Sequence, residues 1–502
     1  MSDTVETVKP RSATADRRRW TALVVLCAGF LMIILDQTIV NVALPSIQTD
    51  LHFSQSSLAW VVNAYLIAFG GLLLLVGRLG DLIGRKRIFL AGLAVFTSAS
   101  LLCGLADSQG LLIAARFVQG IGGAMTSAVI LGMIVTMFPG PAEQAKAIGV
   151  YSFVASAGAS IGLLAGGVIT QGINWHWIFF VNVPIGIATA IYSRRLIPAE
   201  KGIGLDHGAD LPGALLLVSS LMLGVYTIVE ASTYSWGSAH TIGFGLVAIA
   251  LLAGFVLRQA RATNPLVPLR VFRSRTVTAA NLIQVLMVAG LFGMFFLGAL
   301  YLQRVLRYDA IEVGLAFLPV ALGIAVMSLG FSARLITRFG ARQTLVPGLL
   351  LVAAGLVLFR RAPLHAGYAA DLLPAMVLMG IGAGAAFPSL MTLAMSAATA
   401  EDSGLASGLV NTTQQVGGAL GLAVLATLAT THTNTLVGQG ESLTTSLVSG
   451  YRVAFTVGAI LVGLAIVAAI ALLRAEPEPS AAAQEIPAIG AEPVAVYAEE
   501  AA

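Results

Sequence analysis

The stretch RLGDLIGRKR at residues 78–87 separates two apolar runs, and a related stretch, RLITRFGARQ at residues 334–343, separates two others. The two stretches start 256 residues apart. A short basic turn between apolar runs of about 20 residues is typical of a loop that joins two membrane-spanning helices. The recurrence indicates that the chain contains two copies of one arrangement of membrane helices.

The composition of the whole chain agrees with a membrane protein. Of the 502 residues, 57% are hydrophobic and 10% are charged, and the mean hydropathy is +0.90. A soluble domain has about 25% charged residues, so this chain has too few polar side chains to cover a water-facing surface. Because the apolar runs recur along the whole chain, a single membrane anchor does not explain them. The expected class is an all-α polytopic membrane protein.

Fourteen runs are long and apolar enough to be membrane-spanning helices, which we number 1 to 14. They are predicted at residues 20–44, 57–77, 88–106, 110–136, 147–170, 176–193, 211–230, 240–257, 279–302, 311–333, 343–359, 371–396, 405–430 and 451–473.

The distribution of basic residues tests this count. If the N-terminus is cytoplasmic, 22 of the 28 Lys and Arg residues fall on the cytoplasmic side and 5 on the outer side, while Arg116 lies within helix 4. Because cytoplasmic loops are enriched in Lys and Arg, this distribution predicts an even number of spans in the plasma membrane with both termini inside. A twelve-helix arrangement is also even, but it leaves the apolar runs 211–230 and 240–257 unexplained.

Two further pairs of sequences extend the repeat. QGIGGA from Gln119 corresponds to MGIGAG from Met379, and GASIGL from Gly158 corresponds to GGALGL from Gly417, at offsets of 260 and 259 residues. Helices 2, 4 and 5 therefore pair with helices 10, 12 and 13, a shift of eight that two six-helix halves and an inserted helix pair would produce.

This shift divides the chain into five predicted segments. They are a cytoplasmic N-terminal segment (1–19), an N-terminal six-helix half (20–197), the inserted helices 7 and 8 with flanking loops (198–278), a C-terminal six-helix half (279–473) and a cytoplasmic tail (474–502). The tail is rich in Pro, Ala and Glu and is predicted to be disordered.

Several motifs resemble those of the major facilitator superfamily, and in particular its fourteen-span drug:proton antiporter family. They are GRLGDLIGRKR at 77–87, RFVQGIGGA at 116–124, LDQTIVNVALP at 35–45 and WHWIFFVNVPIG at 175–186, where His176 replaces the family's more usual Arg. The resemblance covers roughly residues 15–475. It implies a major-facilitator fold and proton-coupled efflux of amphipathic, often cationic drugs or antibiotics by alternating access.

One motif departs from that family. The family's helix 5 pattern is Gly-x-x-x-Gly-Pro followed by two residues and Gly-Gly, whereas this chain has GASIGLLAGG, with Leu163 in place of the proline. The departure keeps a second hypothesis open, namely a proton symporter that imports a small metabolite. A third hypothesis is a non-transporting membrane sensor or scaffold, which would not need a carboxylate inside helix 1.

That carboxylate is Asp36, in an otherwise apolar run. An ionised carboxylate at this depth is costly unless it faces water or a partner. A group that is charged in one state and neutral in another can couple proton movement to conformation, whereas the structural alternative is an acid hydrogen-bonded to neighbouring helices. We predict that Asp36 has the proton-coupling or substrate-binding role, together with Arg116, Gln119 and Asn41. The alternative for Arg116 is an interfacial anchor.

The loop between helices 2 and 3 combines glycines with one acid and several basic residues. Glycines permit a tight turn, and the basic residues contribute to topology. The resemblance implies that this loop latches the two halves together in the outward-open state. The latch residues would be Gly77, Gly80, Asp81, Gly84, Arg85, Lys86 and Arg87. The second copy has Thr337 at the position of Asp81, which predicts an asymmetric latch.

Helix 5 carries glycines at regular spacing. Gly158, Gly162 and Gly166 fall on one helix face, and Gly167 follows them. Small residues at this spacing allow close helix packing. The family's antiporter motif adds a second interpretation, a packing surface between the halves that limits leak and permits rocking.

The sequence lacks the motifs of ATP-driven pumps and of the common metal sites. It contains no GxxxxGK[ST], HExxH or CxxC string. We therefore expect a transporter and no enzyme, with the proton gradient as its energy source and no cofactor or metal. The expected partners are a small amphipathic substrate, protons and the lipid bilayer, without nucleic acid, and the expected state is a monomer.

Overall fold

The computed structural model describes residues 13–54, 56–198, 202–204, 208–396 and 403–473. Every long element in these ranges is a helix. The predicted tail, 474–502, lies outside the described residues, as does most of the predicted N-terminal segment.

The helices keep the numbers given above. Their bounds are Ala13–Asp50 (helix 1), Ala59–Ile83 (2), Arg85–Gly104 (3), Gln109–Met137 (4), Pro141–Gly172 (5), Trp177–Phe180 with Asn182–Leu196 (6), Leu211–Tyr234 (7), Ala239–Arg261 (8), Arg275–Arg304 (9), Ala310–Val326 with Ser332–Phe339 (10), Ala341–Phe359 (11), Leu373–Met395 (12), Ser403–Gly438 (13) and Leu443–Leu472 (14). Within the described residues, thirteen helices are long and apolar enough to cross a membrane, and helix 5 contributes the shorter apolar stretch Ile161–Gly172. The prediction of an all-α polytopic membrane protein is confirmed.

The same helix pairs pack together at the two ends of the chain. Helix 1 packs against helices 5 and 6, helix 4 against helices 2 and 3, and helix 3 against helix 6. With eight added to each number, the same five pairs recur among helices 9 to 14. Helices 7 and 8 pack against each other, and helix 7 also contacts helices 2 and 13. The repeat in the sequence is thus a repeat in packing, while the exact residue boundaries of the halves stay a prediction.

Glycines at equivalent positions explain why helices 3 and 4, and helices 11 and 12, approach so closely. A Cβ atom built on Gly122 would lie 2.4 Å from the backbone nitrogen of Phe96, and one built on Gly382 would lie 2.5 Å from the carbonyl oxygen of Gly348. Any larger side chain would push the backbones apart. Gly122 and Gly382 belong to the GIGG and GIGAG strings of the repeat, so the repeated motif is a close-packing device.

We call the membrane face where helix 1 ends the far face. The N-terminal face is the one where helix 1 begins. At the far face, Gln303 of helix 9 donates a hydrogen bond of 2.9 Å to the carbonyl of Val42 in helix 1. A Cβ on Gly167 of helix 5 would lie 2.5 Å from the carbonyl oxygen of Ala310 in helix 10. The bundle is therefore closed at the far face.

Helices 5 and 10 diverge towards the N-terminal face. Gly149 lies five turns before Gly167 and therefore on the same side of helix 5. A Cβ on Gly149 would meet no atom of another element within 4 Å, in contrast to the tight contact at Gly167. Helix 5 is therefore packed against helix 10 at Gly167 but not at Gly149.

Candidate functional site

A buried ion pair lies in the N-terminal group of helices. The Nη1 atom of Arg116 in helix 4 is 2.6 Å from Oδ2 of Asp36 in helix 1. The side chains of Arg116 and Asp36 are 1% and 0% exposed. The other carboxylate oxygen, Oδ1, accepts hydrogen bonds from Gln119 Nε2 at 2.7 Å and from Asn182 Nδ2 at 3.0 Å. Both carboxylate oxygens are thus satisfied without solvent, as a buried charge requires.

Arg116 is held by a second set of contacts. Its Nε donates 2.9 Å to the carbonyl of Val61 in helix 2, and its Nη1 also donates 2.6 Å to Gln119 Oε1. The guanidinium carbon lies 4.4 Å from the ring centroid of Tyr65, a cation–π contact that is strengthened by burial. A Cβ on Gly120 would lie 2.5 Å from the carbonyl oxygen of Tyr65. That close approach of helices 2 and 4 brings the Val61 carbonyl within reach.

Gln119 connects the ion pair to helix 3. Its Nε2 donates to Ser100 Oγ at 2.7 Å as well as to Asp36. The network therefore joins helices 1, 2, 3, 4 and 6. Arg116 and Gln119 lie three residues apart, which places them on one face of helix 4. All of the contacts described for this network lie within helices 1 to 6, and none of them involves a residue of helices 9 to 14.

The structure brings together three of the four residues predicted for this site. Asn41 is not among the hydrogen-bond partners of Asp36, since its Nδ2 bonds the carbonyls of Gln37 and Thr38 in its own helix at 3.1 and 3.4 Å. Sequence reasoning missed Asn182 and Ser100. Asn182 belongs to the WHWIFFVNVPIG motif, which was a usable signal, whereas nothing distinguished Ser100 from other helix serines.

The negative charge of Asp36 balances the buried positive charge of Arg116. A proton on Asp36 would cancel the negative charge that balances Arg116 and would leave a buried guanidinium with neutral partners only. A buried charge without its counter-charge is strongly destabilising. We therefore expect that protonation of Asp36 would require a rearrangement of helices 1, 4 and 6 or access of water to the pair.

The C-terminal copy has no such pair at the equivalent helix 12 positions. With the offset of 260 residues, Met376 is the residue equivalent to Arg116, and Met379 is the residue equivalent to Gln119. Both methionines are fully buried. The charged network is thus a specialisation of the N-terminal copy on a shared helical framework.

The predicted latch residues form bonds within the N-terminal group and with the following linker. Arg85 donates two hydrogen bonds, of 2.9 and 3.2 Å, to Asp81 Oδ1. Its Nη1 donates a third, of 3.2 Å, to the carbonyl of Gly132. Lys86 donates 2.9 and 2.6 Å to the carbonyls of Arg194 and Ile197. Gly84 has a φ of 111°, a conformation that favours glycine. The turn is therefore built as expected, and its role as a latch stays a prediction.

The remaining latch glycines differ in their surroundings. A Cβ on Gly80 would lie 2.5 Å from Val129 Cγ1, whereas one on Gly77 would meet nothing within 4 Å. Arg87 lies in the first turn of helix 3 and is exposed. Only Gly80 and Gly84 are therefore required by local packing or backbone conformation.

The helix 5 glycines face two different neighbours. Cβ atoms on Gly158, Gly162 and Gly166 would all contact helix 1, the last lying 2.8 Å from the carbonyl oxygen of Ile39. Gly167 instead faces helix 10, at Ala310. The three-glycine face thus packs within the N-terminal group, and Gly167 is the motif glycine at the contact between groups. The carbonyl of Leu163 would lie 2.6 Å from a Cβ on Gly314, so the departure from the family motif also lies at that contact.

Comparisons with known proteins agree with this architecture. The chain is 41% identical over 454 residues to the puromycin resistance protein of Streptomyces alboniger, covering 89% of this chain and 90% of that protein. It is 35% identical over 411 residues to the tetracenomycin C resistance and export protein of Streptomyces glaucescens, covering 82% of this chain and 76% of that protein.

A solved structure with the same fold is a bacterial homologue of the human lysosomal transporter Spinster, in an inward-facing and unoccupied conformation. Its TM-score is 0.65 at 17% identity, and the match covers 92% of this chain and 99% of that one. The family model of the Major Facilitator Superfamily matches residues 26–422. The resemblance inferred from the motifs is thereby confirmed, and the chain, a multi-pass transporter and not an enzyme, belongs to the Major Facilitator Superfamily.

Proposed function

We propose that this protein exports amphipathic drugs or antibiotics across the plasma membrane in exchange for protons. The observation that carries the proposal is the buried ion pair between Asp36 and Arg116, which lies inside a transporter fold and has no charged counterpart at the equivalent helix 12 positions. The N-terminal face is the cytoplasmic face in this proposal, because it carries most of the Lys and Arg residues. The proton gradient would supply the energy without a cofactor, and the functional unit would be a monomer.

The direction and the substrate class follow from the relatives. Those named above are a puromycin resistance protein and a tetracenomycin C resistance and export protein. A third, from Amycolatopsis lactamdurans, is a cephamycin export protein that is 38% identical and whose match covers 86% of this chain and 88% of that protein. Two of these three relatives are named as export proteins and two as resistance proteins, which supports export of an antibiotic or drug by this chain.

Asp36 would carry the proton. In the charged state it is bonded by Arg116, Gln119 and Asn182, which belong to helices 4 and 6. Protonation weakens those bonds and releases the restraint between helices 1, 4 and 6. Because conformations that differ in this restraint differ in proton affinity, proton binding and helix rearrangement are linked.

Alternating access would exchange the contact at the far face for one at the cytoplasmic face. In the present structure the far face is closed by the hydrogen bond from Gln303 to the carbonyl of Val42 and by the close packing of Gly167 against Ala310. Opening that face requires these contacts to separate, and the proposed latch around Asp81 would then bridge the halves on the cytoplasmic side. Gly167 is the glycine of helix 5 at the far-face contact, and it carries no side chain that would obstruct the movement.

A second candidate is import by a proton symporter. It is favoured by one observation, the presence of Leu163 where the antiporter motif has proline. The two candidates differ in the direction of the gradient that drives accumulation, so one experiment separates them.

Everted membrane vesicles that carry the full-length protein test the proposal, with puromycin as the probe. Vesicles made acid inside should accumulate puromycin above vesicles without the transporter, and an uncoupler should abolish the difference. Accumulation only when the gradient is reversed would support the symporter instead. Absence of gradient-dependent movement for puromycin and for a panel of cationic and neutral antibiotics would refute proton-coupled drug efflux.

A further inference from the structure

Polar side chains cluster where helix 13 meets helix 9, apart from the Asp36 network. Helix 13 carries five consecutive polar residues, NTTQQ at 411–415, an uncommon composition for a membrane-spanning helix. Thr413 Oγ1 donates 2.9 Å to Asn281 Oδ1 of helix 9, and Gln284 Nε2 of helix 9 donates 3.3 Å to Gln414 Oε1. All of these side chains are uncharged.

Three buried oxygen atoms of this cluster have no hydrogen-bond partner among the described residues. They are Oε1 of Gln284, Oγ1 of Thr412 and Oε1 of Gln415, in side chains of residues that are 2%, 6% and 7% exposed. Each unsatisfied buried polar group destabilises the folded protein, because it has lost its hydrogen bonds to water without replacing them. Three such costs at one junction of helices are difficult to explain by packing alone, because leucine would fill the same space without them.

Helix 2, which belongs to the other half, packs against this cluster. A Cβ on Gly70 would lie 2.5 Å from Gln415 Cβ, so helices 2 and 13 touch at this level. Asn63 lies seven residues, or two turns, before Gly70 and therefore on the same side of helix 2. It is fully buried, and neither Nδ2 nor Oδ1 has a hydrogen-bond partner within the described part of the chain. The amide of Asn63 is therefore unpaired as well, but it lies about 10 Å along the helix axis from the contact between Gly70 and Gln415.

We infer that Gln284, Thr412 and Gln415 form a neutral subsite that binds the N–H or O–H groups of a transported compound. The inference rests on the proposed function and assigns it a place and a substrate chemistry. Amide and hydroxyl oxygens accept hydrogen bonds from an ammonium or hydroxyl group without the desolvation cost of a buried counter-ion. Because Gln415 packs against Gly70 of helix 2, a compound bound there lies at the contact between the two halves and can respond to their relative movement.

This subsite is separate from the proton site. The carboxylate of Asp36 is occupied by Arg116, Gln119 and Asn182, all in the N-terminal group. The compound would therefore bind through neutral groups while the proton binds elsewhere. Such a separation lets compounds of different charge use one coupling residue.

Binding of two probes to the purified full-length protein tests the inference. Puromycin carries a primary amine and hydroxyl groups, whereas tetraphenylphosphonium is a permanent cation without any N–H or O–H group. Gln284→Met and Gln415→Met remove the amide at similar side-chain length. Each should raise the Kd of puromycin about three- to tenfold, the value of one neutral hydrogen bond. The Kd of tetraphenylphosphonium should change less than twofold.

A pair of threonines provides the matched control. Thr412 and Thr430 both lie in helix 13 and are 6% and 7% exposed, but the hydroxyl of Thr430 already donates 2.9 Å to the carbonyl of Ala426. Thr412→Val should weaken puromycin binding and Thr430→Val should not. Gln284→Glu, which keeps an acceptor oxygen, should retain puromycin binding, and size-exclusion profiles identify variants that fail to fold.

The outcomes separate the subsite from the transport function. Unchanged puromycin binding in Gln284→Met, Gln415→Met and Thr412→Val, an equal loss for both probes, or no puromycin binding by the unmodified protein would each overturn the subsite. If the protein binds puromycin with this pattern but moves no drug in energised vesicles, the subsite stands and the proposed export function fails.

Discussion

The guanidinium of Arg116 and the carboxylate of Asp36 are 2.6 Å apart and are almost completely withdrawn from solvent, and the same carboxylate also accepts from Asn182. Helices 1, 4 and 6 are thereby joined at a single titratable group. Any change in its charge alters the contacts of all three helices. The pair is therefore placed to connect a protonation event with movement of helices.

Replacing Asp36 by Asn should abolish gradient-driven drug accumulation and leave drug binding in place. The amide is nearly isosteric with the carboxyl group but cannot exchange a proton, so the coupling is removed, and the loss of the counter-charge of Arg116 also lowers stability. The measurement is puromycin uptake by acid-inside vesicles, compared with puromycin binding by purified protein. Asp50→Asn is the matched control, because Asp50 ends the same helix and its carboxylate accepts 2.9 Å from Trp175 Nε1. Full gradient-driven uptake by Asp36→Asn would remove Asp36 from the mechanism.

Removal of one partner of the ion pair should destabilise the protein more than removal of both. Arg116→Met leaves a buried carboxylate without its counter-charge and is expected to cost about 3–5 kcal/mol. The double variant Arg116→Met with Asp36→Asn carries no buried charge and should recover much of that loss. Thermal unfolding of the detergent-purified proteins measures the difference. Additive losses in the double variant would mean that the two charges do not interact.

The sequence was sufficient to find Asp36, Arg116 and Gln119, because charged and amide side chains are rare in membrane helices and costly there. It was not sufficient to find Ser100 or the carbonyl of Val61. Serines and carbonyls occur in every helix, and only the packing of helices 2, 3 and 4 selects these two. Asn41 shows that nearness in sequence does not place a polar residue in the network. Its side-chain amide donates hydrogen bonds to carbonyls of its own helix and not to Asp36.

The helix count and the repeat were predictable because both depend on apolar length and glycine spacing. The ends of the helices were less predictable. Helix 13 was predicted to end at residue 430, but it continues through the polar string THTNT to Gly438. The π-helical turn at Met327–Phe331 within helix 10 was also not predicted. The neighbour of a glycine face depends on tertiary packing, which is why Gly162 faces helix 1 while Gly167 faces helix 10.

Two neighbouring glycines of helix 5 should give different defects when each is changed to alanine. A Cβ on Gly166 would lie 2.8 Å from the carbonyl oxygen of Ile39, within the N-terminal group. Gly166→Ala should therefore lower stability by about 1–3 kcal/mol, the usual cost of overpacking. Thermal unfolding measures that loss. Gly172→Ala is the control, because a Cβ at Gly172 would meet nothing within 4 Å.

Gly167→Ala should instead disturb the closing of the far face. Its Cβ would lie 2.5 Å from the carbonyl oxygen of Ala310 in the opposite group, so closure is hindered while each group stays packed. Spin labels on helices 5 and 10 near the far face should show a larger share of long distances than in the unmodified protein. Distances equal to those of Gly172→Ala would show that closure tolerates the added methyl group.

Asp210 gives a pH dependence outside the membrane-spanning segments. Burial would raise its pKa, but hydrogen bonds from Arg258 at 2.5 Å, Gln259 at 2.7 Å and the backbone of Gly213 at 3.0 Å outweigh burial and hold the pKa below the ordinary value of 3.8. A carboxyl group with a lowered folded-state pKa stabilises the folded protein above its unfolded-state pKa. That stabilisation is lost as the pH falls through the folded-state pKa.

Asp210→Asn should therefore be less stable than the unmodified protein at neutral pH, by about 1–2 kcal/mol because Arg258 is partly exposed and solvent screens the pair. The difference should shrink as the pH falls below about 3.8, since the unmodified carboxyl then takes up a proton and the amide does not. Thermal unfolding from pH 7 to pH 3 measures it, with Arg261→Met as a control one turn from Arg258. A difference that stays constant over this range would show that the charge of Asp210 does not stabilise the folded protein.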